Sequence, residues 1–267
     1  MEISRDNIVE ILKRTDIHPS KDYGQNFLIE PNISKQIVDG LEINSKDYIL
    51  EIGPGLGSLT HFLSLNKNDV DVVDIDLAMT DWLNVIYKEN KNIKIITNDV
   101  RKIDVSNYTK VIANLPYNIT TELLVYLLSN AASAKRMVLM CQTETFAHFN
   151  DLKGSEYGPT SVLVHLLGDI KKLLVVKAGS FLPTPKCTST VFVIDLFEKK
   201  NRNEIISVYK FSKALFLNRR KTLINNLSNY LGNKEKAKAM LRQLDISENV
   251  RPEELSPDTY FDLYKLL

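Results

Sequence analysis

From Tyr48 onward, short apolar runs alternate with stretches of helical spacing. YILEI, VDVVDI, IKIITND, KVIANLPY and KRMVLMCQ read as strands. SLTHFLSL, LAMTDWLNVIY and TELLVYLL fall between them and place apolar residues three and four apart, as amphipathic helices do. Strands covered on both faces lose the polar–apolar alternation, so this order predicts a parallel α/β sheet with crossovers on both faces. Two later runs, KLLVVKA and STVFVIDLF, are separated by SFLPTPKCT and predict further strands, one of them antiparallel at the sheet edge. Ahead of the first strand, residues 8–12 read as part of a short amphipathic helix. KDYGQNFLIEPN is a polar, glycine-containing stretch, and Pro31 opens a helix through Ile37 and Val38.

The texture changes after Phe197. EKKNRNE is a charged linker candidate, and IISVYKFSKALFL, TLINNLSNYL, KAKAMLRQL and a segment around Tyr260 all have helical spacing. The division expected is therefore 1–199 and 200–267. Charge separates along the same line. The whole chain is balanced at +1, but residues 200–267 hold 13 Lys+Arg against 8 Asp+Glu, leaving −4 for the rest. A basic helical appendage suits an anionic partner; an ordinary solvated bundle is the alternative.

Composition narrows the class further. At 44% hydrophobic and 25% charged, the 267 residues fit a folded globular chain and not a disordered one. Cys141 and Cys187 make no disulfide framework and no CxxC. With the charged start MEISRDNIVEILKR and no 18-residue apolar run, a cytoplasmic protein without membrane attachment is expected. The four histidines lack metal-ligand spacing, so no metal is expected.

Candidate chemistry begins at Gly53, Gly55 and Gly57, directly after the first sheet strand. A side chain there would obstruct a tight turn or a ligand lying against backbone N–H groups. Asp74 ends the next strand, where a carboxylate accepts from two ribose hydroxyls; Asp76 competes for that role. A dinucleotide fingerprint would place its third glycine at Ser58, so GxGxG followed by an acid suits S-adenosylmethionine better than NAD. Asp99 ends the third strand, positioned to accept from an adenine amine or to cap a helix. Asn114-Leu115-Pro116-Tyr117 ends the fourth. Asn114 offers a side-chain acceptor, Pro116 removes a backbone donor and stiffens the turn, the Leu115 carbonyl can face a substrate, and Tyr117 offers a ring for stacking. Two acceptors beside one aromatic plate suit an exocyclic amine on a base; a tight structural turn is the alternative.

GQNFLIEPN, LEIGPGLGSLT, VVDID, NLPYNITTELL, GSEYGPTSVLV, FLPTPKCTSTV and FLNRRKTLINNL together resemble the ribosomal RNA adenine N6,N6-dimethyltransferase family, in its small-subunit, dimethyladenosine transferase branch. The match runs from about Lys21 to about Leu227. It implies a Rossmann-like methyltransferase sheet with a small all-helical C-terminal domain, and S-adenosylmethionine as donor. It also implies dimethylation of two adjacent adenosines near the 3′ end of small-subunit ribosomal RNA, by a monomer acting on the small subunit or its precursor. On this pattern Gln25, Asn26 and Leu28 close over the cofactor, Gly53 and its loop hold the methionine part, and Asp74 with Ile75 takes the ribose. Asp99 with Val100 takes the adenine. Asn114, Leu115 and Tyr117 clamp the target base, Phe181 faces Tyr117 across it, and Arg219, Arg220 and Lys221 touch phosphate. If the last three continue a helix, Arg219 and Arg220 point different ways, and one supports a domain interface instead.

The sequence departs from the family at Phe146, where alanine is usual, and at His148, where arginine is usual. Cys187 and Thr188 replace the usual valine and aspartate. These changes bear on the RNA surface and leave the cofactor loop and the clamp intact. Two other readings stay open: a macrolide-resistance-type methyltransferase of large-subunit RNA, and a non-catalytic ribosome-assembly factor.

Overall fold

The computed structural model describes residues 1–15, 17–20, 23–198 and 201–267. Lys21, where the resemblance begins, and residues 199 and 200 of the expected linker lie outside the described residues. In chain order the elements are α1 (Arg5–Thr15), β1 (Phe27–Leu28), α2 (Pro31–Asp39), β2 (Ile49–Ile52), α3 (Ser58–Leu63), β3 (Val70–Asp74), α4 (Leu77–Ile86), β4 (Ile93–Thr97), β5 (Lys110–Asn114) and α5 (Thr120–Asn130). Then follow β6 (Arg136–Gln142), α6 (Thr143–Asn150), α7 (Pro159–Leu167), β7 (Gly168–Val176), β8 (Phe181–Leu182), β9 (Ser189–Leu196), α8 (Arg202–Phe216), α9 (Leu223–Leu231), α10 (Lys234–Gln243) and α11 (Pro257–Lys265).

Among the described residues the main sheet has the order β4-β3-β2-β5-β6-β9-β7. β2 pairs in parallel with β3 on one side and β5 on the other. The strand order therefore reverses between β2 and β5, where an open α/β sheet leaves a crevice beyond its carboxyl ends. The five strands expected between Tyr48 and Gln142 are all present. The antiparallel strand is not at the edge, however. β9 runs antiparallel to β6, from Gln142↔Ser189 to Arg136↔Asp195, and β7 takes the edge outside it. The burial patterns explain the difference: β9 is buried along nearly its whole length, whereas β7 exposes Lys171, Lys172 and Val175, as an edge strand must. A second, two-residue sheet pairs Phe27 with Leu182 and Leu28 with Phe181. It is too short to leave a periodic signal.

Ile49, Val70, Val72, Ile112, Val138 and Val193 form the centre of the sheet's core with Leu41 and Leu63. A separate cluster joins Ile3, Ile8 and Ile11 of the N-terminal segment to Phe27, Leu56 and Met79.

The chain divides into two compact units. One is Met1–Thr143 with Lys171–Leu196; the other is Glu144–Ile170 with Phe197–Leu267. Residues 144–170 thus belong with the C-terminal helices, not with the preceding chain as a division at 199/200 requires. The reason is apolar: Val162, Leu163 and Val164 of α7 are fully buried, α7 packs on α8 and α11, and the Tyr157 ring meets Phe216 edge-on at 5.7 Å. Phe216 in turn stacks on Tyr260 at 5.6 Å, and the Tyr260 hydroxyl donates to the Pro252 carbonyl at 2.7 Å.

Candidate active site

Within the sheet unit, a cavity of about 280 Å³ opens beyond the ends of β2, β3, β4 and β5. Gly53 and Gly55 line it in left-handed conformations, at φ +64° and +55°. A Cβ on Gly55 would come within 2.9 Å of the Phe27 ring, so only glycine lets the 23–28 segment settle on the loop. Gly57 does not line the cavity. It caps α3 at φ +95°, and a Cβ there would meet Leu83 at 2.9 Å. Its lack of a side chain serves the turn and the packing behind it.

The segment over the loop is tied down at several points. Gln25 donates to Asp76 Oδ2 at 2.7 Å and accepts from the Ser20 N–H at 2.8 Å; Ser58 Oγ donates to the Leu28 carbonyl at 2.6 Å. Gln25, Asn26 and Leu28 all line the cavity, as do Ile75 and Val100.

The acids sort themselves by partner. Asp76 caps α4, accepting from the Ala78 N–H at 3.0 Å, and its other oxygen receives Gln25; it does not line the cavity. Asp74 does, so of the two acids it is the one that faces the cavity. Its Oδ1 accepts from the Asp76 N–H at 2.9 Å. Burial, with the charge of Asp76 adding to it, raises its carboxyl to about 6. Asp99 also lines the cavity, but its side chain is gripped by Arg101, whose guanidinium holds the carboxyl below the usual range.

One acid escaped the sequence reading. Glu51, within β2, is fully buried and lines the cavity; Thr60 is the nearest donor to its carboxylate, and no well-formed hydrogen bond reaches either oxygen among the described residues. Burial raises it to about 8, partly opposed by the Thr60 hydroxyl and N–H, with the neighbouring Asp74 charge adding to the rise. The signal was available: YILEI carries a charge in a run otherwise destined for the core. A buried, unpartnered carboxyl facing a cavity is costly unless a cation or donor arrives there.

At the far side, Asn114, Leu115, Pro116 and Tyr117 line the wall. The Leu115 N–H donates to the Met140 carbonyl at 2.9 Å, and the Pro116 carbonyl accepts from Thr120 Oγ1 at 2.8 Å, fixing the turn against β6 and α5. Asn114 Nδ2 donates weakly to the Asn26 carbonyl at 3.4 Å, and among the described residues no donor reaches its Oδ1. Tyr117 is half-buried and its hydroxyl shares a 2.9 Å bond with Ser189, which orients the ring. Phe181 departs from expectation. It is 1% exposed, belongs to the sheet core and does not line the cavity, because β8 is held against Leu28.

The basic triplet lies in the helical unit, in the turn between α8 and α9 and not on a helix. Arg219 donates to the Gly154 and Tyr157 carbonyls at 3.0 and 2.8 Å and lies 5.5 Å over the Phe216 ring. It is committed inside its unit. Arg220 and Lys221 are exposed.

A sheet reversing at a glycine loop, with an acid at the end of the next strand and an antiparallel strand inserted beside the edge, is the S-adenosylmethionine-dependent methyltransferase fold. The comparisons narrow this further. The family model described as "Ribosomal RNA adenine dimethylase" matches residues 18–267. Ribosomal RNA small subunit methyltransferase A of Malacoplasma penetrans is 35% identical over 97% of this chain and 97% of its own. A dimethyladenosine transferase from Plasmodium falciparum superposes with a TM-score of 0.77 at 26% identity, covering 89% of this chain and 95% of that one. The 23S rRNA methyltransferase ErmE shares the fold, with a TM-score of 0.70 at 19% identity over 91% of this chain and 99% of its own. The chain belongs to the ribosomal RNA adenine dimethylase family, in its dimethyladenosine transferase branch.

The cavity residues fit S-adenosylmethionine. The glycine cradle admits a ligand against backbone, Asp74 faces the cavity at the end of β3, and Glu51 is a buried acceptor awaiting a positive group.

Proposed function

We propose that this protein converts two adjacent adenosines near the 3′ end of small-subunit ribosomal RNA to N6,N6-dimethyladenosine. The observation that carries the reading is Asn114. It ends β5 at the cavity wall with an uncommitted side-chain oxygen, next to a turn fixed by two hydrogen bonds and an oriented aromatic ring.

When bound, S-adenosylmethionine supplies an electrophilic methyl group on sulfonium. Glu51 accepts the amine of its methionine part, Asp74 its ribose hydroxyls and Asp99 its adenine amine. The adenine N6 of the target is a weak nucleophile because its lone pair is conjugated with the ring. Asn114 Oδ1 and the Leu115 carbonyl accept the two N–H bonds of that amine, favour a pyramidal nitrogen and aim its lone pair. Tyr117 stacks on the flipped base. Phe181 acts from behind, as packing for the 27–28 segment, and not as a second plate. Positioning and fixed dipoles carry the rate without a covalent enzyme intermediate. As the nitrogen gains each methyl from the sulfonium it loses one proton to solvent; the monomethylated amine keeps one N–H, so a second round completes the product. Arg220 and Lys221 contact RNA phosphate on the small subunit or its precursor.

The test is methyl transfer from labelled S-adenosylmethionine to undermethylated small and large ribosomal subunits in parallel, with the modified base mapped by nuclease digestion and mass spectrometry. Product in small-subunit RNA is expected. Product confined to large-subunit RNA, or subunit binding without transfer, overturns the reading.

A further inference from the structure

Asp99 is held by one residue that the reaction has not used. Arg101 Nε donates to Asp99 Oδ1 at 3.0 Å and to Oδ2 at 3.1 Å, and its Nη2 donates to Oδ2 at 2.7 Å. The Arg101 backbone N–H adds a second donor to Oδ1, at 2.9 Å. The other arm of the guanidinium, Nη1, reaches Glu122 Oε1 on α5 at 2.5 Å. Asp99 thus sits in a two-toothed fork whose far end is anchored to the helix that follows the Asn114–Tyr117 turn. Both Asp99 and Arg101 line the cavity.

We propose that Arg101 is a positioning residue for cofactor recognition: it locks the Asp99 carboxylate so that one oxygen faces the adenine amine, and thereby sets the preference for a 6-amino over a 6-oxo purine. The lone pairs say which oxygen. Nε is shared between the two oxygens; beyond it Oδ1 takes the Arg101 backbone N–H at 2.9 Å and Oδ2 takes Nη2 at 2.7 Å, so each accepts two donors and Oδ2, where the shared Nε is the longer at 3.1 Å, is the less filled of the two. The same hydrogen bonds, with the Arg101 charge, hold the Asp99 carboxyl below the usual carboxylate range. A 6-oxo purine presents an acceptor to this carboxylate and is repelled. The fork geometry is specific to arginine; lysine supplies the charge without the orientation.

The inference rests on Asp99 taking the adenine amine, and the experiment separates the two. Calorimetry measures the affinities of S-adenosylhomocysteine and S-inosylhomocysteine for the wild type, Asp99→Asn, Arg101→Leu and Arg101→Lys, with thermal melts to confirm folding. Asp99→Asn is expected to erase the preference. Arg101→Leu is expected to reduce it about fivefold, as for one charge-assisted hydrogen bond at a partly exposed site, with Arg101→Lys between it and wild type. If Asp99→Asn erases the preference while Arg101→Leu leaves it intact, the positioning role is overturned and the Asp99 contact stands. If Asp99→Asn changes nothing, the Asp99 contact falls and the positioning role with it.

Discussion

Replacing Glu51 by glutamine tests whether the cavity is built around a buried carboxyl that waits for a positive ligand. Its carboxyl stands at about 8 in the folded protein against an ordinary value of 4.5. The folded state therefore keeps a proton that the unfolded state releases, and wild-type stability falls as pH rises from the ordinary value to about 8, levelling off above it. Each pH unit in that window costs about 1.4 kcal/mol, so the whole window is worth at most roughly 5 kcal/mol. Full burial leaves little solvent screening to reduce this. Glutamine has no proton to hold, so its contribution is flat. The Tm advantage of Glu51→Gln over wild type should then grow with pH, by about 3 °C per unit between pH 5.5 and 7.5 for a chain of this size. Differential scanning fluorimetry of both proteins across that range reads it directly. Adding S-adenosylhomocysteine, whose amine carries the positive charge, should raise the wild-type Tm more than that of the variant. A Tm difference that stays constant with pH would refute the reasoning.

The Asp74 carboxyl, raised to about 6, accepts ribose hydroxyls best when ionised, so cofactor affinity should rise steeply with pH up to about 6, with only the shallower rise from Glu51 ionising toward about 8 remaining above. Below that point it should weaken by up to about tenfold per unit. Asp74→Asn should bind weakly without this limb, and a flat wild-type profile from pH 5 to 8 would contradict the assignment. Gly57→Ala forces a side chain onto φ +95° against Leu83 and should cost about 1–3 kcal/mol in urea denaturation, an unchanged midpoint being the adverse result. Arg219→Ala removes two hydrogen bonds and a ring contact and should destabilise the protein by about 1–2 kcal/mol. Arg220→Ala and Lys221→Ala should leave the Tm alone and each flatten the salt dependence of RNA binding by about 0.7 in log–log slope. The reverse pattern would exchange their roles.

What the sequence revealed was local. Strand, glycine loop and the acid one crossover later lie within some 25 residues, and their spacing alone marks the cofactor end of the cavity. The NLPY turn was legible for the same reason, since proline and the strand end fix it without help from afar. The choice between Asp74 and Asp76 was not, because both are acids at a strand end; only the α4 cap and the long-range bond from Gln25 separate them. Phe181 was misjudged because a two-residue strand pairing with Leu28, more than 150 residues away, decides its burial. Which of Arg219 and Arg220 plays a structural role was likewise hidden: the partners of Arg219 are the carbonyls of Gly154 and Tyr157, in a segment whose membership of the helical unit depends on packing against α8. The grip of Arg101 on Asp99 spans two residues, yet an acid after a strand reads the same whether it awaits a ligand or already holds a guanidinium.

The central claim is that Asn114 presents an acceptor to the target amine while the rest of the cavity holds the cofactor. It is tested most directly by comparing wild type and Asn114→Ala under single-turnover conditions on undermethylated small subunits, with calorimetric S-adenosylhomocysteine affinity measured on the same preparations. The account predicts N6,N6-dimethyladenosine in wild-type reactions, transfer reduced about a hundredfold or more in the variant, and cofactor affinity changed by less than about threefold. Transfer by Asn114→Ala at the wild-type rate would contradict it.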